Sequence, residues 1–238
     1  MPTFILHLLF VFFLPISLSA QKALPKPLTF VNGQAVIVMR QGSDNLVMRA
    51  MQISPFLSPQ TPTLTPREVK HYRRLLKRPF LQSRQPEDLA KLLLVSGNAR
   101  FAEALDSIKQ TYFPQLETDS LQTAAAQNLL NSLSWIAATD DKGVYINLHE
   151  DCMINVHTEH FRFTIDQICT PNRRKYRISG LATSKTPLTI RLRIPTLQRL
   201  PKFYLNGRAI LAPKIIDGYL VVDRPWRNNE EIYYDLEE

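Results

Sequence analysis

Hydrophobic positions follow two different periods along the chain. Upstream of Asp140 they recur at steps of three and four, the spacing of a helix; from Gly143 onward they alternate with polar positions, the spacing of a strand. Four helices are predicted in the first part. One opens at Thr65-Pro66-Arg67-Glu68, where Thr65 can cap, Pro66 is tolerated at the first helical position and Glu68 can close a capping box. Val69, Tyr72, Leu75 and Leu76 then share a face. The second is PEDLAKLLLVSG, with acids in its first turn and Gly97 at its end. The third is NARFAEALDSIKQTYF, with Phe101, Leu105, Ile108 and Tyr112 at helical spacing. The fourth starts near Asp119, runs through TAAAQNLL and carries Leu121, Ala125, Leu129, Leu133 and Ile136 on one stripe.

The second part reads as a succession of strands: GVYINLHE, CMINVHT, HFRFTIDQI, KYRISGLA, LTIRLRIP, KFYLNG, GYLVVDRP and EEIYYDLE. In LTIRLRIP, Leu188, Ile190, Leu192 and Ile194 alternate with Thr189, Arg191 and Arg193, which predicts a sheet with one wet face. Near the start, LTFVNGQAVIVMR reads as a hairpin turning at Asn32-Gly33, and NLVMRAMQI as a further strand. SPFLSPQTPTLTP, with four prolines, reads as an extended linker. The fold class expected is therefore α+β: a short N-terminal β-hairpin and a helical segment followed by an antiparallel β-sandwich. The expected divisions are 1–20, 21–64 (hairpin and Pro-rich linker), 65–139 (helices) and 140–238 (sandwich).

Composition is that of a globular chain: 238 residues, 45% hydrophobic and 21% charged. Phe4 to Leu18, FILHLLFVFFLPISL, differs. It is followed by small residues, which predicts a secretory signal peptide cut near Ser19 or Ala20; an uncleaved anchor is the alternative. The expected location is periplasmic or secreted, with no stable membrane span once the signal is removed. Two cysteines, Cys152 and Cys169, make a disulfide possible in an oxidising compartment, but neither a disulfide framework nor a zinc cage. The net charge of +8 is concentrated in residues 66–85, PREVKHYRRLLKRPFLQSRQ, with seven Lys/Arg and one Glu. This stretch is either a patch for an acidic polymer or anionic surface, or a solvated helix face, and the second reading is preferred. No nucleic-acid motif accompanies it, and a nucleic-acid partner is not expected.

Candidate chemistry is sparse. The carboxylate pairs Asp140-Asp141 and Glu150-Asp151 have the right residue type for glycosidic acid–base work. They sit at element ends, where acids are expected simply to be solvated, and Glu230-Glu231 and Glu237-Glu238 are weaker candidates. His149, Cys152, His157 and His160 are of zinc-binding type but lack the spacing of a zinc motif, so no metal and no cofactor is expected. No G-x-S-x-G, phosphate-binding loop or dinucleotide fingerprint is present. Trp135, Tyr145, Phe161, Trp226, Tyr233 and Tyr234 could stack on sugars or simply pack.

Several motifs then follow one another in a recognisable order: LRIP at Leu192–Pro195, Asn206-Gly207, GYL at Gly218–Leu220, and RPW at Arg224–Trp226 before a last hydrophobic strand. Upstream stand SGNARFAEALDSIKQTYF and DDKGVYINL. Together, over roughly residues 86–238, they resemble the last helices and β-sandwich of the C-terminal part of bacterial β-L-arabinofuranosidases, glycoside hydrolase family 127. The resemblance implies that a helix just before the GVYINL strand should begin with a cysteine pair, one of them the nucleophile and both helping to hold zinc. Matched on Asn128, that pair falls at Ala124 and Ala125, which offer neither a thiolate nor a metal ligand. Cys152 and Cys169 lie in the sandwich and do not replace it.

The resemblance therefore implies an exported, non-catalytic relative of a glycoside hydrolase that contacts carbohydrate, or a partner protein in polysaccharide processing. Trp135, Tyr145 and Asn128 are the candidate sugar contacts. A second expectation is an accessory subunit, docked through apolar helix faces left uncovered by a missing barrel. A third is an active arabinofuranosidase-like hydrolase using other carboxylates. The oligomeric state is left open.

Overall fold

The structure, a computed structural model, describes residues 28–30, 37–39, 61–77, 85–112, 122–181, 187–196 and 199–236. Within these, four helices are found: α1 (Pro66–Leu75), α2 (Pro86–Ser96), α3 (Ala99–Thr111) and α4 (Gln122–Leu133). The start of α1 is set as its sequence predicts. Thr65 Oγ1 accepts from the Glu68 amide at 3.3 Å, and the Thr65 amide donates to Glu68 Oε2 at 2.9 Å. Tyr72, buried on its inner face, donates its hydroxyl to Asp88 of α2 at 2.6 Å. Helix α2 buries six of its residues and ends on Gly97, in the left-handed conformation. Asn98 then caps α3, accepting from the Arg100 amide at 3.1 Å.

Thirteen strands follow or precede these helices among the described residues: β1 (Thr29–Phe30), β2 (Ile37–Met39), β3 (Ala137–Thr139), β4 (Gly143–Ile146), β5 (Cys152–His157), β6 (Arg162–Thr170), β7 (Arg173–Ser179), β8 (Leu188–Arg193), β9 (Phe203–Leu205), β10 (Arg208–Ala209), β11 (Ile215–Ile216), β12 (Tyr219–Arg224) and β13 (Glu230–Asp235). They form a six-stranded sheet in the order β1-β3-β4-β8-β12-β11 and a seven-stranded sheet in the order β10-β9-β13-β7-β6-β5-β2. The α+β sandwich expected from the pattern is the fold observed. Asn206-Gly207 makes the tight β9–β10 turn, with both residues at positive φ, 51° and 79°. Trp226 plugs the sandwich at 6% exposure and donates its indole N–H to the Leu188 carbonyl at 2.7 Å.

Four details differ from the sequence reading. The two N-terminal strands do not form a hairpin: β1 pairs with β3 and β2 with β5, in different sheets. A turn signal does not specify a partner, and each strand pairs with one more than a hundred residues away. The turn at Asn32-Gly33 and the segment NLVMRAMQI lie outside the described residues, as do Asp119 and Leu121. The second difference is β3, three buried residues a short turn after α4, within the stretch 65–139 expected to be helical. The third is β4–β8, a parallel pair in an otherwise antiparallel sandwich.

The fourth concerns β8. Its polar face is not wet: Thr189 is 5% and Arg193 3% exposed. Leu188, Ile190 and Leu192 enter the core, while on the opposite face Arg193 meets Asp106 of α3 at 2.7 Å. The helical segment therefore covers what an isolated sandwich would leave to solvent. Backbone bonds from Leu28 to Leu94 and from Ala99 to Asp217 fasten the same two parts together. One continuous cluster of buried residues runs from Tyr72 in α1 to Tyr234 in β13.

Candidate functional site

Helix α4 presents Ala124, Asn128 and Asn131 at steps of four and three, with Trp135 four residues on. Asn128, Asn131 and Trp135 line a cleft of about 540 Å³. Its other wall is the run into α1, Thr61 and Pro62, together with the start of α2, Gln85 to Asp88. Ala124 is exposed one turn before Asn128, and Ala125 is packed in the core at 1% exposure.

Among the described residues the cleft lining is polar, acidic, proline and aromatic, without a basic side chain. Asn131 accepts from Gln127 at 2.8 Å, Asp88 takes the Tyr72 hydroxyl, and Glu87 is paired with Lys91 at 2.7 Å. Trp135 is 3% exposed, and its indole N–H has no hydrogen-bond partner in the structure. An orphaned buried donor costs about 1–3 kcal/mol and is uncommon. The side chain lines the cleft, while the N–H itself is closed off from solvent.

The position of Trp135 is fixed through its backbone. Asn147 Nδ2 donates to the Trp135 carbonyl at 3.1 Å, and Asn147 in turn receives the Tyr219 hydroxyl at 2.7 Å and the Arg193 guanidinium. Arg193 binds Asp106, which pairs with Lys109 at 2.9 Å; Lys109, itself 3% exposed, also pairs with Glu150. This chain of charges lies in the seam between α3 and the sandwich. Burial works against the Asp106 carboxylate, but Lys109 and Arg193 outweigh it and hold its pKa below the usual value. Burial likewise opposes the Lys109 charge, and Glu150 and Asp106 raise its pKa in spite of it.

Of the acids at element ends, Asp141 is exposed as its position suggested, Glu237-Glu238 lie outside the described residues, and four others are not simply solvated. Glu150 is 8% exposed and belongs to this seam. Asp140 caps the turn before β4, accepting from the Lys142 and Gly143 amides at 2.9 and 2.8 Å. Glu230 is 8% exposed, accepting from Asn206 at 2.9 Å, and Glu231 binds Lys175 and Arg177. Each of these acids is spoken for by a structural partner.

Tyr145 lines a second, smaller cleft of about 340 Å³ with Gly97, Asp140, Lys142 and Arg191, so the structure brings Asn128 and Trp135 together but not Tyr145. Its ring is already engaged. Arg191 stacks over it at 4.3 Å, and Tyr219 meets it edge-on at 5.4 Å. Burial pushes its pKa up to about 12, so it is a neutral, packed wall. Phe161 and Tyr233 are half-buried, and Tyr233 stacks on Tyr204 at 4.9 Å; Tyr234 is fully buried.

No disulfide joins Cys152 and Cys169; both are thiols. Cys152 stands opposite Gln167 across the β5–β6 ladder, while Cys169, two residues further, contacts Gln167 and the Glu150 carbonyl at 3.5 Å. Burial pushes the Cys169 thiol up to about 11, which leaves it protonated at neutral pH. His149 contacts the Tyr176 hydroxyl through Nδ1 at 2.9 Å, whereas His157 and His160 are exposed. Among the described residues no group of three or more His, Cys, Asp or Glu is placed to hold a metal ion. No helix among them is long and apolar enough to cross a membrane. Sequence reading missed Asn131, although its three-residue step from Asn128 on α4 points to it; Thr61 and Gln85–Asp88 come from outside that helix and carry no local signal.

The order of strands and the cleft on α4 can now be set beside known proteins. Residues 143–237 match the model of the GH127 β-L-arabinofuranosidase middle domain. A structure described as a glycoside hydrolase superposes with a TM-score of 0.55 at 12% identity, over 63% of this chain and 31% of that one. A GH127 β-arabinofuranosidase gives 0.52 at 14% identity, over 64% and 31%. The GH127 β-L-arabinofuranosidase of Geobacillus stearothermophilus T6 gives 0.51 at 15%, over 63% and 30%. At these identities the likeness is one of fold. It is longer than the family match, so it reaches into the helices, and the chain spans about a third of the length of these structures. The chain thus resembles part of a GH127 enzyme, as its motifs imply, and the family description places that sandwich in the middle of the enzyme. No curated protein matches the chain.

Proposed function

We propose that this protein is an exported, non-catalytic relative of the GH127 glycoside hydrolases that holds a carbohydrate in the cleft beside α4. The observation that carries the reading is the polar cleft beside α4, lined by Asn128, Asn131 and Trp135; it is joined to what the resemblance implies, that Ala124 and Ala125 stand where the family has its cysteine pair. A sugar presents hydroxyl groups that can bridge the asparagine side chains and an apolar face that can lie against an aromatic wall, so it complements this lining. Neither remaining cysteine supplies the missing chemistry: both lie on the seven-stranded sheet, and the Cys169 thiol stays protonated.

The alternative, an accessory subunit docked through bare helix faces, has less to support it. Among the described residues the large exposed apolar side chains are Met153, Leu200, Leu211, Ile215 and Ile216, all in the sandwich. The reading is tested by incubating the purified protein with aryl arabinosides and plant polysaccharides, and by a glycan array. Absence of hydrolysis together with glycan binding is expected. Release of sugar would reinstate the enzyme.

A further inference from the structure

Helix α1 carries a strip of cations that the cleft does not use. Arg67, Lys70, His71 and Arg74 are all exposed, at the steps of three and four that put them on one side of the helix, and the exposed Lys77 follows in the turn just after it. They run over about 15 Å, five basic groups in about three turns. The acids nearby are turned away from this side. Glu68 binds Lys91 at 2.8 Å and closes the capping box, and Glu87 also binds Lys91, within the α1–α2 seam. Lys91, with the Thr65 hydrogen bonds, pulls the Glu68 pKa down to about 2, so it stays committed there. Among the described residues no acid pairs with Arg67, Lys70, Arg74 or Lys77.

We propose that this outer face of α1 docks an acidic polysaccharide, a polymer with a carboxylate on each or most of its sugar units. Charge complementarity sets the sign of the partner, and the regular spacing favours a linear polyanion over a single charged group. A bilayer fits poorly, because the apolar residues of α1 are not on this face: Tyr72 is buried, and Leu75 and Leu76 pack against the core. That the polymer is a polysaccharide rests on the carbohydrate reading above; the strip itself does not.

The test is retention of the purified full chain on immobilised polygalacturonate at rising salt. Changing Arg67, Lys70, Arg74 and Lys77 to Gln should weaken binding on the order of a hundredfold at low salt, as expected for losing four cations from a polyanion surface. A control of equal charge loss replaces Arg199, Lys202, Arg208 and Lys214, all exposed in the sandwich region, with Gln. It should change binding by no more than about twofold if location rather than net charge decides. Equal losses in both variants, or an unchanged α1 variant, would overturn the proposal. So would strip-dependent binding to phosphatidylcholine–phosphatidylserine vesicles without binding to polygalacturonate. The two readings separate cleanly: neutral glycans on the array report the cleft, and the α1 variant should bind them as the parent does.

Discussion

Lys109 and His149 show how much of this protein's stability rests on single buried polar side chains. Replacing Lys109 with Ala would take a buried cation away from Glu150 and Asp106, and breaking a buried pair from one side costs about 3–5 kcal/mol. Thermal or urea unfolding should show that loss, and adding Glu150→Gln should recover part of it, because the two effects are coupled. The imidazole of His149 behaves differently. Burial first, then the charges of Arg193, Arg174 and Lys109, hold its pKa well below the usual value. As pH falls below about 6.5 the unfolded chain takes up a proton that the folded protein refuses. Stability is therefore full above that pH and falls on acidification, by up to about 1.4 kcal/mol per pH unit for this one group. Urea midpoints measured between pH 7 and 5 should show the slope, and His149→Gln should flatten it. Neither residue announced its burial: a lysine on a helix and a histidine after a strand look solvated until Glu150 and Tyr176 are brought to them.

At the level of elements, local signals were legible and partners were not. The capping box of α1, the end of α2 at Gly97 and the eight alternating strands are all written within a few residues, and each formed as read. The partners of β1 and β2, the parallel pairing of β4 with β8 and the burial of Thr189 and Arg193 depend on residues 40 or more positions away, so alternation alone misassigned the outer face of β8. Two substitutions test this division. Thr65→Ala removes a purely local cap and should cost about 1 kcal/mol in thermal unfolding. Gly143→Ala looks equally mild in sequence. In the fold a Cβ there would sit 1.8 Å from the Thr189 carbonyl oxygen of β8, on backbone that cannot step aside. Its cost should exceed about 3 kcal/mol, and an effect as small as that of Thr65→Ala would refute the parallel pairing.

For the whole molecule, helices and sandwich form one cored body whose seam of charges sets the position of Trp135 at the cleft. The family resemblance was legible because its motifs are short and ordered along the chain. The cleft was only half legible: Asn128 and Trp135 share α4 and its exit, while the opposite wall arrives from the chain before α1 and from the start of α2. The central claim is that this cleft binds a glycan and performs no hydrolysis on it. The most direct measurement compares the protein with its Asn128→Ala/Asn131→Ala variant on one glycan array, with the supernatant assayed for released sugar. Both positions are half-buried on the cleft wall, so the variant should fold. Binding by the parent, at least tenfold weaker binding by the variant (the loss of about 1.4 kcal/mol expected from two hydrogen-bonding side chains) and no released sugar are predicted. Binding that survives the double substitution unchanged, or sugar released by the parent, would contradict it.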